Sequence, residues 1–364
     1  MPKEFVPLMG SPGKRAPEIL SRAPSPGHSN RSHFPNSMKS PSLLLAFALV
    51  CPSLLFGADT PAPATAATSA KPALKITPGK IIIPTDRMQR PWGELISLDL
   101  ATRTGTFRRE SNDEVVNFTV MPYAELLHHA TLGDLQDFRV GERAIFRLHE
   151  NDKGEWVLLT YIQDEMNMMN NHKEYFYVDA IDPAAGKLTC MWANFDKSFV
   201  REKSVTIETD KDTRYWKGGQ PAKFSDIQIG DKLRTKTHGI GHGKTRMAWD
   251  VFLDDESLQK FQTEQKAVHA QRMRDEGLPG YVDTANDGTI ELTLFPEGRD
   301  FFARLKPGAT VRTAPAGADR KPSTTPVEAT IATANSSKLT LKIPAASTAT
   351  FRPTELARVW VASN

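Results

Sequence analysis

Apolar and polar residues alternate in short runs along much of the chain, and this period of two predicts a protein built mainly from β-strands. Clear examples are the runs from Gly93 to Asp99, from Val115 to Met121 and from Thr289 to Phe295. Polar, Gly-containing segments such as Asn151 to Gly154 separate the runs and are typical of hairpin turns. The pattern indicates a chain of short strands joined by tight turns.

A fifteen-residue pattern occurs twice without gaps. The first copy runs from Leu135 to His149 (LQDFRVGERAIFRLH) and the second from Phe224 to His238 (FSDIQIGDKLRTKTH). Both contain an Asp followed by an apolar-x-apolar-Gly-acid core, with Gly141 and Gly230 at the same position. We interpret the core as a tight turn, bent at its glycine, that leads into a strand. The repeat therefore predicts two copies of one supersecondary unit.

Each copy occupies the same place in a longer succession of elements. In the first unit three strands precede a short helix, predicted at Ala124 to Ala130, and two strands follow it. The second unit, from Glu174 to Phe252, has the same order, although its helix position, Asp210 to Ala222, is rich in Gly and charge. This order is typical of OB-type barrels. A third unit contains Phe351 to Glu355 (FRPTE), which matches the repeated core without its glycine.

The predicted fold class is all-β with minor α: two OB-like small β-barrels in tandem, a third degenerate β-domain and one connector helix. Asp255 and Glu256 favour the start of that helix, and Gly277 favours its end. The predicted ranges are 1–37 for a mis-called start or disordered extension, 38–58 for a signal peptide, 59–80 for a Pro/Ala/Thr-rich tether, 81–170 for barrel 1, 171–253 for barrel 2, 254–278 for the connector helix and 279–364 for the third domain.

The N-terminal region indicates export. Met38 and Lys39 precede an apolar run from Leu43 to Phe56, which is shorter than the ~20 residues of a membrane span and is followed by small residues. We interpret this run as a secretory signal peptide, so we expect a periplasmic or extracellular protein without a stable transmembrane span. After cleavage Cys190 is the only cysteine, which excludes an intrachain disulfide.

Net charge does not indicate a nucleic-acid partner. The full chain carries 46 Lys and Arg against 43 Asp and Glu. Residues 1–58 contain six of the basic and two of the acidic residues, which leaves 40 basic and 41 acidic residues, a charge near −1. Such a chain lacks the electrostatic footprint of a nucleic-acid-binding protein. We therefore expect an envelope protein or a glycan as the partner.

Two groups of side chains are candidate metal ligands. The segment MNMMNNH, between the two barrels, supplies thioethers and an imidazole, which suit Cu(I). His238 and His242 flank a Gly-rich turn and form the second group. The alternative for the methionines is apolar packing in the seam between the barrels, and apart from copper we expect no cofactor. The candidate ligands in the segment are Met166, Met168, Met169 and His172.

Other patterns point away from catalysis. HGIGHGKT, from His238 to Thr245, differs by one residue from a phosphate-binding loop, but a strand follows it where that loop needs a helix. The sequence contains no nucleophile elbow, no HExxH and no paired-cysteine metal site. His128 and His129, beside Glu125, are interpreted as solvated residues of a short helix. We therefore predict no catalytic residues and no enzymatic activity.

An exposed strand face is a candidate binding surface. OB-type barrels bind single strands or sugars on such a face, and cationic and aromatic residues are interleaved here. For an exported protein we expect a glycan as the ligand, and the alternative is that these aromatic residues belong to the core. The residues of this candidate face are Arg108, Arg109, Trp192, Lys197, Phe199 and Arg201.

These motifs resemble two groups of proteins. LISLD at Leu95 to Asp99 and VDAID at Val178 to Asp182, with the repeated core, resemble an uncharacterised class of secreted bacterial domains built as tandem OB-like barrels. That resemblance implies the fold and no chemistry. The Met/His segment resembles the ligand set of periplasmic copper carriers that are small OB-type barrels, although no Trp closely precedes the Met pair.

The leading hypothesis is an exported, non-enzymatic structural or interaction module of the bacterial envelope. The first alternative is a periplasmic copper or metal carrier that uses the Met/His segment. The further alternative is a glycan- or oligomer-binding OB-type module. Metal content of the purified protein distinguishes the first two.

Overall fold

The computed structural model describes residues 87–238 and 245–361. The predicted extension, signal peptide and tether, residues 1–80, lie outside the described residues, as does His242. Within the described ranges the chain forms three closed β-barrels in succession with few helices. The predicted all-β class with minor α is therefore confirmed.

Barrel 1 is built from five long strands and one short strand. They are β1 (Trp92–Asp99), β2 (Thr104–Arg109), β3 (Val115–His128), β4 (Thr131–Leu132), β5 (Arg143–Glu150) and β6 (Trp156–Asp164). The pairing order is β2-β1-β5-β6-β3, and β3 pairs again with β2 to close the barrel. This Greek-key closure is that of an OB-type barrel. The alternating inward positions include Phe107 and Phe146, whose rings stack with centroids 4.0 Å apart.

Barrel 2 repeats this topology. Its strands are β7 (Glu174–Asp182), β8 (Lys187–Asn194), β9 (Val200–Glu208), β10 (Arg214–Lys217), β11 (Gln220–Ala222), β12 (Lys232–His238) and β13 (Thr245–Phe252). The barrel closes in the order β7-β8-β9-β13-β12, and the hairpin of β10 and β11 is added beside β13. β9 pairs with β13 in parallel, as β3 pairs with β6 in barrel 1.

Two helices connect the barrels. α1 (Glu165–Asn171) begins after β6 and is capped by the Asp164 side chain. α2 (Asp255–Glu276) follows β13 and ends at Gly277, which has φ of +80° and where an added Cβ would lie 2.8 Å from the Trp360 ring. Asp137 of barrel 1 accepts hydrogen bonds from Gln265 and Arg272 of α2, so this helix is anchored along barrel 1.

Barrel 3 is a six-stranded, fully antiparallel barrel. Its elements are β14 (Leu278–Asn286), β15 (Thr289–Leu294), β16 (Thr310–Ala316), β17 (Val327–Asn335), β18 (Lys338–Lys342), α3 (Ala345–Thr348) and β19 (Leu356–Val361). The closed order is β14-β15-β18-β17-β16-β19. Tyr281, Phe295 and Leu356 extend into the core of barrel 1, where Tyr281 meets Tyr123 edge to face. Barrels 1 and 3 therefore share apolar packing.

The repeated core forms the same backbone connection in all three barrels. In barrel 1 the N–H of Gly141 donates to Leu95 O, and the N–H of Leu95 donates to Glu142 O. The corresponding pairs are Gly230 and Asp231 with Val178 in barrel 2, and Thr354 and Glu355 with Val282 in barrel 3. The residue at the bend has φ of +91°, +94° and +74°, respectively. The predicted positive-φ glycines are confirmed, and barrel 3 places a threonine in that conformation.

The predicted helix at Ala124 to Ala130 is wrong. These residues continue β3 to His128 and turn into β4, and Glu125 and Leu126 pair with Tyr161 and Ile162 of β6. The Ala and Leu residues fit either period over so few positions, and pairing with a distant strand decides between them. In barrel 2 the corresponding segment, Asp210 to Ala222, forms the hairpin of β10 and β11 instead of a helix.

The bend positions can be tested by replacing glycine with valine in barrels 1 and 2 and by replacing threonine with glycine in barrel 3. We expect Gly230→Val to destabilise the protein by about 1 kcal/mol or more, because a β-branched side chain is strained at this φ even with open space around it. Gly141→Val should cost more, since the added Cβ would also lie 3.3 Å from the Trp249 ring. Thr354→Gly should not destabilise, because relief of strain offsets the larger entropy of an unfolded glycine.

Denaturant titration of the full chain measures these differences. Gln228→Val is the matched control, because Gln228 is exposed in the same turn and has ordinary φ. Equal midpoints for Gly230→Val and Gln228→Val would contradict the claim that the glycine is required for its positive φ.

Candidate functional site

A buried ionic cluster lies where barrel 1, barrel 2 and α2 meet, and we call it the ion lock. Its centre is the Lys236 ammonium of β12, whose Nζ lies 2.5 Å from Glu142 Oε1 and 3.3 Å from Asp164 Oδ2. The same nitrogen lies 2.8 Å from His128 Nε2 and 3.4 Å from His129 Nε2. Lys236, Glu142, Asp164 and His128 are all buried. A cation from barrel 2 is therefore held by groups of barrel 1.

Both carboxylates of the ion lock also bind local backbone. Glu142, the acid of the repeated core, accepts the Arg139 N–H at Oε2. Asp164 accepts the Asn167 N–H at Oδ1 as the N-cap of α1 and the His129 N–H at Oδ2. Each carboxylate is thus positioned by barrel 1 itself, and little rearrangement is needed for it to accept the ammonium.

Protonation in the ion lock follows from burial and neighbouring charge. Burial disfavours the carboxylate of Glu142, but Lys236 and His128 together outweigh burial and hold the pKa of Glu142 well below its usual value. Burial likewise opposes the charge of Lys236, yet Glu142 and Asp164 raise its pKa. For His129, burial and the adjacent ammonium both lower the pKa, so the ring is neutral. The lock therefore contains the Lys236 ammonium, the Glu142 carboxylate and the neutral imidazole of His129.

The ion lock has the donor set of a cation site. His128, His129 and Asp164 offer ligand atoms that all lie within 4.8 Å of one another, and imidazole and carboxylate groups suit Zn²⁺. The Lys236 ammonium contacts all three residues and occupies the space that a metal ion would need. His128 accepts from the ammonium at Nε2, so its Nδ1–H donates to Gln265 Oε1, 3.0 Å away. The arrangement joins two barrels and α2 through one cation.

Sequence reasoning missed this cluster. It assigned His128 and His129 to a solvated helix, whereas the structure places His128 in a buried position at the end of β3. Lys236 lies 108 residues further along the chain. The one local signal was that Lys236 follows the second repeated core on the strand that this core introduces.

The candidate copper ligands lie on α1 and at its end. Met166, Met168 and Met169 are buried in the hydrophobic core of barrel 2. His172, at the C-cap of α1, is exposed, and its Nδ1 lies 3.7 Å from Glu174 Oε1. The methionines pack as the apolar alternative describes, while copper binding at these residues stays a prediction.

The second candidate metal group is only partly described. The His238 ring stacks on Trp249 with centroids 4.5 Å apart, and burial lowers the pKa of His238. Its backbone forms a β-bridge with Glu142 of barrel 1. His242 lies outside the described residues, so metal binding by this pair also stays a prediction.

The residues of the candidate strand face lie in three separate places in the structure. Trp192 is buried, and the Arg201 and Arg246 guanidinium carbons lie 4.3 and 4.7 Å from the centroid of its ring. Cations of the protein itself therefore stack on this tryptophan. Arg108 and Arg109 lie on β2 of barrel 1, where each pairs with a glutamate. Lys197, Phe199 and Arg201 remain together on barrel 2.

An exposed surface on barrel 2, which we call the basic aromatic face, is formed around the turn from β8 to β9. Phe195 and Phe199 are 56% and 48% exposed. Lys232 Nζ lies 3.4 Å from the centroid of the Phe195 ring, and the Arg201 guanidinium carbon lies 5.9 Å from that of Phe199. Lys197, in the turn, adds a third cation. Exposed rings next to cations can contact both the apolar faces and the negative charges of a ligand.

Tyrosine residues of β7 pack against the inner side of the basic aromatic face. The Tyr175 ring meets Phe195 edge to face at 5.8 Å. The Tyr177 hydroxyl donates to Asn194 O at 2.6 Å, and Lys197 Nζ lies 4.6 Å from the Tyr177 ring. The turn is thereby attached to β7. Sequence reasoning missed Lys232 in this face because β12 reaches it only through barrel closure.

No family model matches the chain, and no curated protein matches it. Solved structures show weak likeness. Ag(I)CusF is 15% identical over 21% of this chain and 97% of that chain, with a TM-score of 0.18. Apo-CusF from Escherichia coli is 13% identical over 23% of this chain and 96% of that chain, also with a TM-score of 0.18. Drosophila Unr CSD456 is 14% identical over 74% of this chain and 89% of that chain, with a TM-score of 0.16. TM-scores this low carry no functional argument. Among the described residues, no helix is long and apolar enough to cross a membrane.

The ion lock should dominate the stability of the junction. We expect Lys236→Met to lower the free energy of unfolding by about 3–5 kcal/mol, because Glu142 and Asp164 would remain buried without their cation. Adding Glu142→Gln should recover part of this loss. Lys211→Met is the control, since the Lys211 side chain is 89% exposed. Denaturant titration showing equal stability for the Lys236 and Lys211 variants would contradict the ion lock.

Acid should weaken the lock in a defined window. The pKa of Glu142 is lowered in the folded state, so its stabilising contribution is present above the unfolded pKa of ~4.3 and is lost as pH falls below that value. We expect the denaturation midpoint to decrease below about pH 4. This decrease should be smaller in Lys236→Met, and an identical pH dependence in the two proteins would show that other carboxylates govern acid unfolding.

Proposed function

We propose that the protein is an exported, non-enzymatic binding module of the bacterial envelope that holds an acidic polysaccharide on the basic aromatic face of barrel 2. The observation that carries this proposal is the pair of exposed rings, Phe195 and Phe199, with Lys197, Arg201 and Lys232 around them. Arg201 also pairs with Glu174 Oε1 at 2.9 Å, and Asp196 lies in the same turn, so three cations stand against two carboxylates there. Such a surface complements an anionic partner.

The chemistry of the face favours a polymer with both apolar and anionic parts. Aromatic side chains stack on the faces of rings, and cations beside them pair with carboxylates. A uronate-containing polysaccharide presents both groups in one repeating unit. A single-stranded nucleic acid would use the same two contacts, and the predicted export of the chain favours the polysaccharide.

The rest of the molecule supports a binding role without catalysis. Among the described residues the ion lock brings imidazoles, carboxylates and an ammonium together, but it is buried and its ammonium is engaged by surrounding groups. The same lock attaches barrel 2 to barrel 1, which fixes the orientation of the basic aromatic face relative to its neighbour. A face held on a rigid support loses less entropy when it binds.

Calorimetry with the full chain tests this proposal. We expect saturable binding of polygalacturonate that weakens as salt is added, and no binding of neutral dextran. The double variant Phe195→Ala with Phe199→Ala should weaken binding about tenfold or more, since lost stacking costs roughly 1–3 kcal/mol per contact. Leu100→Ala is the control, because Leu100 is 51% exposed on barrel 1.

Three outcomes would contradict the proposal. They are equal affinity of the double variant and the parent, equal binding of dextran, and tighter binding of a single-stranded oligodeoxynucleotide than of polygalacturonate. The last result would assign the same face to nucleic acid.

The copper-carrier alternative has a separate test. Because the Met168 and Met169 side chains are buried in barrel 2, we expect the folded chain not to take up Cu(I) at these residues. Met168→Leu with Met169→Leu conserves volume and should leave stability nearly unchanged. Stoichiometric Cu(I) binding by the parent that disappears in this variant would favour the carrier.

A further inference from the structure

A cleft of about 530 Å³ lies between barrel 1, the end of α2 and barrel 3. Arg103, in the turn from β1 to β2, and Asp134 line it from barrel 1. Asp275 and Glu276 line it from α2, and Arg320, Lys321, Arg358 and Trp360 line it from barrel 3. Clefts between packed units are common ligand sites. This volume suits a ligand of the size of a dipeptide or a monosaccharide.

Arg103 is incompletely satisfied in this cleft. Its side chain is 9% exposed, and its Nη1 donates to Asp134 Oδ1 at 3.0 Å. Its Nε and Nη2 are buried and have no hydrogen-bond partner. A buried donor without an acceptor costs about 1–3 kcal/mol. A ligand carboxylate would supply the missing acceptors once the guanidinium turns slightly toward the cleft.

Arg320 is a second buried guanidinium group beside the cleft with a donor that lacks an acceptor. It is buried, pairs with Glu297 through Nη2, and its Nη1 lies 3.9 Å from Asp134 Oδ2. Its Nε also lacks a partner. Asp134 therefore serves two guanidinium groups, and three buried donor atoms next to the cleft remain without acceptors.

Another part of the lining, at the end of α2, has the opposite charge. Asp275 and Glu276 are exposed at the C-terminus of α2, where the helix dipole is negative. Glu276 meets Arg358 Nη2 at 3.4 Å, and Asp275 accepts from Gln271. These carboxylates repel a polyanion and attract an ammonium group. The cleft thus offers an arginine wall and an acidic wall to one ligand.

We propose that this cleft binds a small zwitterion, an amino acid or short peptide, with its carboxylate on Arg103 and Arg320 and its ammonium beside Asp275. An arginine fork is suited to a carboxylate because its parallel N–H groups match the two oxygens. The acidic wall then selects a zwitterion over a simple carboxylate or a dicarboxylate.

Calorimetry on the full chain with glycylglycine, propionate and succinate as probes tests the site. Glycylglycine should bind saturably and about tenfold more tightly than either other probe. Asp275→Asn should reduce its affinity to that of propionate, and Arg103→Lys, which keeps the charge but loses the fork, should weaken glycylglycine and propionate alike. Phe195→Ala with Phe199→Ala should leave glycylglycine binding unchanged, which separates this site from the basic aromatic face.

Absence of saturable glycylglycine binding would overturn the proposal, as would tighter binding of succinate. Unchanged affinity in Asp275→Asn would overturn the zwitterion assignment even if Arg103→Lys fails to fold, because Asp275 is an exposed residue whose substitution leaves the buried arginines intact.

Discussion

The junction of barrels 1 and 2 depends on the buried ammonium of Lys236. The Lys236 side chain extends from barrel 2 and contacts four residues of barrel 1, which are Glu142, Asp164, His128 and His129. Burying an ammonium is costly unless its partners are already arranged, and here backbone groups of barrel 1 position both carboxylates before the ammonium contacts them. The relative position of the two OB-type barrels is therefore held by this buried charge together with the apolar contact of Trp92 and Ile145 with the core of barrel 2.

The same residues connect the repeat to this junction. Glu142 is the acid of the repeated core in barrel 1, and Lys236 lies on the strand that the second core introduces. In each barrel the core fastens the bend to the first strand through two backbone hydrogen bonds. Barrel 3 keeps this connection at Thr354 and Val282, although its strands close in a different, antiparallel order. The core thus connects the bend to the first strand in the same way in two different barrel topologies.

The two surfaces proposed to bind ligands lie away from the ion lock. Closure of barrel 2 brings Lys232 of β12 to the rings of the β8–β9 turn, and packing of barrel 3 on barrel 1 brings Arg320 near Arg103. The first place is exposed, cationic and aromatic, whereas the second is enclosed and carries both charges. Two such surfaces would allow the protein to bind a polymer and a small molecule independently.

By itself the sequence determined the repeated turn, the glycine at its bend, the all-β class and the connector helix, because each depends on residues close together in the chain. Tertiary structure decided the rest. Ala124 to His128 became strand because β6 pairs with it, and Trp192 became core because it packs against Phe176 inside barrel 2. The ion lock joins residues about a hundred positions apart. No local period carries that information, since long-range pairing and burial of charge are properties of the assembled barrels.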